Sequence, residues 1–430
     1  MRKINIYKGR AKNLLMTVLL FFIATLSYGA VNLDVTPDQI YFNYQDGYTC
    51  DALTISENGT PIEFEPEWDS NYLEQHKFAY IMNQNCRSIK VLLNSGSYEG
   101  LMHLIIKVSY DSGYNDGVGT ICNLFIPNYD TSKSYDGIIL PLTGAFPTSV
   151  GVHEFHWKWE IYAIPVNNPN YCAAWSTLPT YTSHHFYTLL AAPQAPMEKP
   201  WSSVLDKACV WASGQTTLEE ISTHITDSLY NCGFKYEVVW GSYRYSYEDN
   251  FTLFHLQPLM EDLKNPTGLT VNCVDLARTI VIFSNALGSN LIVKRFLNKI
   301  GWQGNFPVNC IDLIGSTVNP TNDPFSTYLF GDDCRLGGFV MHAFAENGAG
   351  FVWDATLKYN TGNPDNVYNE HNLGCGVKTN EDFKWQLPCN VIESTYFPNL
   401  IDDFANNKDC SETNNYFGYF IDSSFSISLN

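Results

Sequence analysis

The sequence predicts a multidomain chain in which an all-β unit precedes a mixed α+β unit. Two observations predict that division. Short runs of alternating apolar and polar residues, parted by turn clusters, fill Val31 to about Thr148. Capped segments with helical periodicity follow only beyond that point.

The N-terminus comes first. Arg2, Lys3, Lys8, Arg10 and Lys12 precede an apolar run from Leu14 to Leu26, and Ser27-Tyr28-Gly29 offers a small-x-small cleavage pattern. Residues 1–29 therefore read as a signal peptide cleaved before Ala30, because the run is short and wrongly flanked for a membrane span. The expected address is secreted, periplasmic or cell-surface, with no lipid-anchoring cysteine at the cleavage point. No later apolar run is long enough to cross a bilayer. Without the leader the chain holds 20 Lys and Arg against 44 Asp and Glu, a net charge of −24. So acidic a surface repels phosphate backbones, which excludes nucleic acid as an expected partner. Aromatic residues make up 15%, ample for packed cores.

Leu33/Val35, Ile40/Phe42/Tyr44, Leu53/Ile55 and Ile62/Phe64 alternate with polar residues, and Ile89–Leu93, Leu101–Val108 and Ile121–Ile126 continue the series. Residues 30–148 thus read as an Ig-like β-sandwich, a spacer or docking module, with Pro141–Pro147 as its boundary. Beyond it, Phe155, Trp157, Trp159, Ile161 and Ala163 share one face of a strand. His153 and His156 then face opposite ways, as do His184 and His185, so neither pair reads as a metal site. The acidic pairs Asp332-Asp333 and Asp402-Asp403 read as solvated loops, and nothing else in the sequence supports calcium. No cofactor is expected.

Lys199 to Ser213 and Thr217 to Tyr230 read as helices, the second opened by a Thr217-x-x-Glu220 capping box. Phe234–Tyr245 and Asn290–Phe296 read as strands. Residues 299–336, rich in Gly, Asn, Pro and Asp, read as an insert, and the tail beyond Leu357 as mostly irregular with an edge strand at Phe425–Leu429. Of the twelve cysteines, Cys209 sits in a helix as a buried inert thiol; the pairing of the others is open.

The chemistry centres on Asn272-Cys273-Val274-Asp275, where Asn272 caps a helix running to Leu287-Gly288 and Asp275 completes the cap. Cys273 lies in the helix's apolar sector beside free backbone N–H groups, which favour a thiolate. A hairpin, Phe339–Glu346 and Gly350–Leu357, carries His342 and Asp354. A three-residue loop Asn347-Gly348-Ala349 sets them directly opposite, and a two-residue loop sets them on opposite faces. An imidazole between a thiol and a carboxylate takes the thiol proton, while the carboxylate fixes its tautomer. Each residue alone reads as core or turn; the three in this order read as a site.

These residues resemble a known family. Asn272-Cys273-Val274-Asp275-Leu276-Ala277, Met341-His342-Ala343-Phe344 and Val352-Trp353-Asp354-Ala355-Thr356 are similar to the transglutaminase-like branch of the papain-like cysteine enzymes. The resemblance implies that 149–430 is a transglutaminase-like catalytic domain, with Cys273 as nucleophile, His342 as base and acid, and Asp354 as orienting residue. Phe344 stands where that family often has tryptophan. The resemblance implies acyl transfer through a thioester, read first as hydrolysis of amide bonds in a peptide or protein. Amine transfer (protein cross-linking) and an adhesion or scaffold protein with an idle triad are the alternatives.

Overall fold

The structure, a computed structural model, describes residues 31–45, 50–63, 65–72, 75–82, 84, 86–111, 119–167, 171–176, 179–237, 241–246, 253–298, 306–307, 311–315, 338–339, 341–360, 385–400, 417–422 and 426–428. The expected signal peptide, the two acidic pairs and most of the 299–336 insert lie outside these residues.

Two sheets build the first unit. One is four-stranded, from β1 (Thr36–Tyr41), β2 (Trp68–Asp69), β4 (Ser88–Asn94) and β7 (Ile138–Pro141), in the order β7-β4-β1-β2. The other takes β3 (Phe78–Ile81), β5 (Leu101–Tyr110), β6 (Ile121–Asp130), β8 (Gly151–Pro165) and β9 (Thr180–Leu189), in the order β3-β9-β8-β5-β6. Alternation explains how they pack. Met102, Leu104, Ile106 and Val108 of β5 and Phe155, Trp157, Trp159, Ile161 and Ala163 of β8 are buried in one core with Ile40, Val91, Leu93 and Leu140 of the other sheet. Two indole N–H groups buried there are satisfied: Trp157 donates to the Gly119 carbonyl and Trp159 to the Thr182 hydroxyl.

This sheet corrects the expected boundary at 148/149. β8 pairs with both β5 and β9, so it and β9 complete the first unit instead of opening the second. The prolines at 141 and 147 mark a turn between strands; the aromatic face of β8 is buried only by returning beneath the first sheet.

Helices α1 (Ser202–Trp211), α2 (Leu218–Tyr230), α3 (Leu256–Asp262) and α4 (Cys273–Ala286) begin the second unit, with short strands β10 (Lys235–Tyr236), β11 (Leu253–His255) and β12 (Thr270–Val271) between them. The expected strand Phe234–Tyr245 reduces to β10 among the described residues. Then follow β13 (Ile292–Asn298), β14 (Ile311–Leu313), β15 (Met341–Glu346), β16 (Phe351–Trp353), β17 (Leu357–Asn360), β18 (Cys389–Ile392), α5 (Glu393–Leu400), β19 (Phe417–Asp422) and β20 (Ser426–Ser428). An antiparallel sheet runs β18-β16-β15-β13-β19. The tail is thus less irregular than expected: β18 and β19 form the two edges of this sheet, and β20 pairs with β11. Part of the insert is also built in, since β14 pairs with β17.

The central helix α4 packs against β15, α1 and α2. Every one of its residues is buried, so its polar side chains need partners inside the protein. Asn285 bonds the Ala195 and Leu291 carbonyls and the Leu291 N–H, and Arg278 donates to the Leu253 carbonyl. Ala343 and Ala345 face α4 from β15, and their small size lets the helix lie close. Gly288 ends the helix at φ 101°, where a Cβ would stand 2.6 Å from the Ala191 carbonyl oxygen. The two units are joined at α1, where Ser56 bonds the Lys199 and Pro200 carbonyls and Asp206 takes Lys77 and the Tyr187 hydroxyl.

Candidate functional site

Cys273 occupies the first position of α4 because Asn272 stops the strand and caps the helix. Asn272 has an extended backbone, and its side chain accepts the Asp275 N–H at 3.0 Å. The Asp275 carboxylate reaches back to the Asn272 N–H at 3.4 Å and does more than close the cap. It accepts the backbone N–H groups of Arg244 at 2.7 Å, Tyr245 at 3.1 Å and Ser246 at 2.9 Å. Burial raises its pKa against the lowering effect of these donors. Segment 241–246 is thereby tied to the first turn of the helix, and the Asn272 amide donates to the Gly241 carbonyl as well.

The hairpin is closed by a longer loop than the sequence suggested. Glu346 pairs with Val352 and Ala345 with Trp353, so Asn347–Phe351 lie between the paired positions. The Asn347 side chain accepts the Ala349 and Phe351 N–H groups, Glu346 accepts the Gly350 N–H, and Gly348 and Gly350 take positive φ. This loop also has an odd length, which keeps His342 and Asp354 on one face. They are diagonal neighbours rather than directly opposite. His342 Nε2 lies 2.8 Å from Asp354 Oδ2.

Asp354 sits where the chain leaves β16. Its N–H donates to the Pro388 carbonyl, and its Oδ1 accepts the Thr356 N–H at 2.8 Å. The Tyr396 hydroxyl of α5 donates to Oδ2 at 2.8 Å and lies 3.1 Å from His342 Nε2. Cys273, His342, Asp354 and Tyr396 are all buried. With Asp354 and Tyr396 on the Nε2 side, Nδ1 is the nitrogen left for the thiol, and the Cys273 thiol is among the groups that raise the pKa of this imidazole. The Cys273 sulfur also lies 3.9 Å from the Met341 carbonyl oxygen. Burial pushes the His342 pKa down, but Asp354 and Cys273 more than offset it and raise it to about 9.

Two tyrosines and a phenylalanine that the sequence reading passed over close this site. The Tyr236 phenol stands beside Cys273, and burial, then the thiol, holds its pKa well above the usual phenol range. Tyr243 is pushed to about 12 by burial and then by the charge of Cys273. The ring of Phe339 lies 4.6 Å from that of His342. No motif marks any of them: the tyrosines arrive from a distant segment in a chain of 27 tyrosines, and Phe339, three residues before His342, reads as an ordinary apolar strand residue.

The other singled-out residues lie elsewhere. His153 contacts the Thr188 hydroxyl while His156, on the opposite face, meets Glu154. His184 is buried beside Phe155, and His185 lies 3.6 Å from Glu154. Among the described residues no group of three or more His, Cys, Asp or Glu is placed to hold a metal ion. Cys209 is buried and its pKa is raised by that burial and then by Asp206. Cys50 and Cys86 form a disulfide.

No protein-family model matches the chain. No curated protein matches it either. Among solved structures it is similar to red sea bream transglutaminase at 11% identity, over 74% of this chain and 52% of that one, with a TM-score of 0.33. The chain thus spans about half the length of that enzyme. Among the described residues no helix is long and apolar enough to cross a membrane.

Proposed function

We propose that the protein is an exported cysteine-dependent acyl-transfer enzyme that hydrolyses amide bonds in a peptide or protein. The observation that carries the proposal is the buried imidazole of His342, held by Asp354 on Nε2 and raised in pKa by that carboxylate and by the thiol at the start of a capped helix. The disulfide Cys50–Cys86 supports the exported address. A cysteine-led helix against an antiparallel sheet that bears the histidine and the aspartate supports a papain-like, transglutaminase-like second unit. The two-sheet packing supports an Ig-like reading of the first.

In this mechanism His342 takes the Cys273 proton, giving a thiolate–imidazolium pair. The thiolate attacks the amide carbonyl carbon, a C–S bond forms, and the carbonyl oxygen becomes an oxyanion. The Cys273 N–H is one donor to it, and the Tyr236 hydroxyl, kept protonated by its raised pKa, is the second. The imidazolium then protonates the leaving amine as the C–N bond breaks, leaving a thioester. Water attacks the thioester, His342 takes a proton from that water, and the carboxylic acid departs as the thiol reforms.

The test is the fate of the acyl group. With a peptide substrate pool, the wild-type chain releases new amino termini, mass spectrometry finds an acyl adduct on Cys273, and Cys273→Ala abolishes both. Added hydroxylamine then diverts a minor share to hydroxamate. Stable attachment to a lysine or an added amine in preference to water would replace hydrolysis with transfer. No adduct and no release would leave the scaffold role.

A further inference from the structure

Tyr396 is the buried polar side chain at this site that the mechanism above leaves unused. Its hydroxyl, Asp354 Oδ2 and His342 Nε2 form a closed triangle with edges of 2.8, 2.8 and 3.1 Å. One carboxylate oxygen therefore accepts two donors, the imidazole N–H and the phenol O–H. The phenol is fixed independently of the pair it touches. β18 pairs with β16, the strand that leads to Asp354, and runs directly into α5. At the start of α5, Glu393 donates its N–H to the Gly350 carbonyl of the hairpin loop and takes Lys294 of β13 at 2.6 Å. Lys294 also reaches Glu346 of β15 at 3.2 Å. One helical turn further on, the ring of Tyr396 packs between Phe344, Tyr359 and Phe397, with centroids 5.4, 6.3 and 5.4 Å away.

We infer that Tyr396 is a positioning residue that fixes the Asp354 carboxylate against His342 and tempers its pull on the imidazolium. The inference rests on the proposed roles of Cys273, His342 and Asp354. Its physical basis is competition at one acceptor. A hydrogen bond donated to a carboxylate oxygen draws off part of its charge, and what remains for the second donor is weaker. Without the phenol, the carboxylate would hold the imidazolium proton more tightly. The imidazolium would then be a poorer acid toward a leaving amine. Burial, then Asp354, keeps the Tyr396 pKa well above the usual phenol range, so the hydroxyl stays a donor throughout the working range.

The charged and titratable groups facing His342 come from three elements: Cys273 of α4, Asp354 beyond β16 and Tyr396 of α5. Tyr236 of β10 stands behind Cys273, and Cys389 of β18 and Asp227 of α2 lie beyond Asp354. Tyr396→Phe removes only the hydroxyl and keeps the packed ring.

The experiment follows iodoacetamide alkylation of the Cys273 peptide by mass spectrometry from pH 5 to 11, in the intact chain. In wild type the rate changes as His342 loses its proton, near pH 9. In Tyr396→Phe that inflection moves up by roughly half a unit. With p-aminophenylalanine at 396, which returns a weaker donor, it falls part-way back. A merely structural role would lower the melting temperature and leave the inflection in place. An unmoved or lowered inflection in the phenylalanine variant overturns the inference while the triad stands. Should that variant not fold, the p-amino variant decides alone, a small upward shift supporting the inference and none overturning it. A wild-type profile with no inflection dependent on His342 removes the triad, and this inference with it.

Discussion

If the proposed triad operates, Asp354→Asn lowers turnover on a cleaved peptide by about 10³–10⁴-fold, the size of loss that follows when the residue orienting a catalytic imidazole loses its charge. The cause is visible in the balance on His342. Burial alone pushes the imidazole below the ordinary histidine range, and the Asp354 carboxylate leads the effects that reverse it to about 9. With asparagine the burial remains and the compensating charge is gone, so the imidazolium is lost at lower pH. The alkaline limb of kcat/KM, which in the proposed mechanism reports the acid that protonates the leaving amine, therefore moves down from near 9. The wild-type pair also has a stability signature. Because the folded pKa lies above the unfolded one, its contribution is complete below about pH 6.5 and is lost as pH rises through about 9. Urea midpoints across that window, compared between wild type and Asp354→Asn, measure it. An asparagine variant with an unchanged limb and turnover within tenfold of wild type would sink the orienting role.

Asp275→Ala destabilises the fold by at least about 3 kcal/mol, because one carboxylate serves several buried backbone donors and alanine leaves them all without it. Those donors are the N–H groups of Arg244, Tyr245, Ser246 and Asn272. Relief of the carboxylate's own burial offsets part of the loss, as its raised pKa indicates. Asp275→Asn keeps one acceptor oxygen and loses about half as much. Denaturant midpoints with an unchanged m-value provide the measurement. A loss below about 1 kcal/mol for alanine would mean that segment 241–246 is held in place by other contacts.

Local chemistry made some of this legible from residues alone. The Asn272 cap, the Asp275 box and the Gly288 stop each need only a few neighbours in sequence, and all three are present. The hairpin was legible in parity but not in length, because the Glu346 and Asn347 side chains close the loop and draw Gly350 and Phe351 into it. The aromatic face of β8 was legible too, but the surface that buries it was not. Two prolines look alike in a linker and in a turn between strands, so the boundary was set too early. Tyr236 and Tyr396 stood outside reach for a different reason. Nothing near them in sequence predicts that β10 runs beside β12, or that a helix after β18 turns a phenol onto Asp354.

The central claim is that His342 activates Cys273. Alkylation of the Cys273 peptide by iodoacetamide at pH 7, in wild type and in His342→Ala, tests it most directly. The predicted result is a wild-type thiol that reacts faster than a free model thiol, with that advantage gone in the variant. Equal rates in the two proteins, no faster than the model thiol, would contradict it.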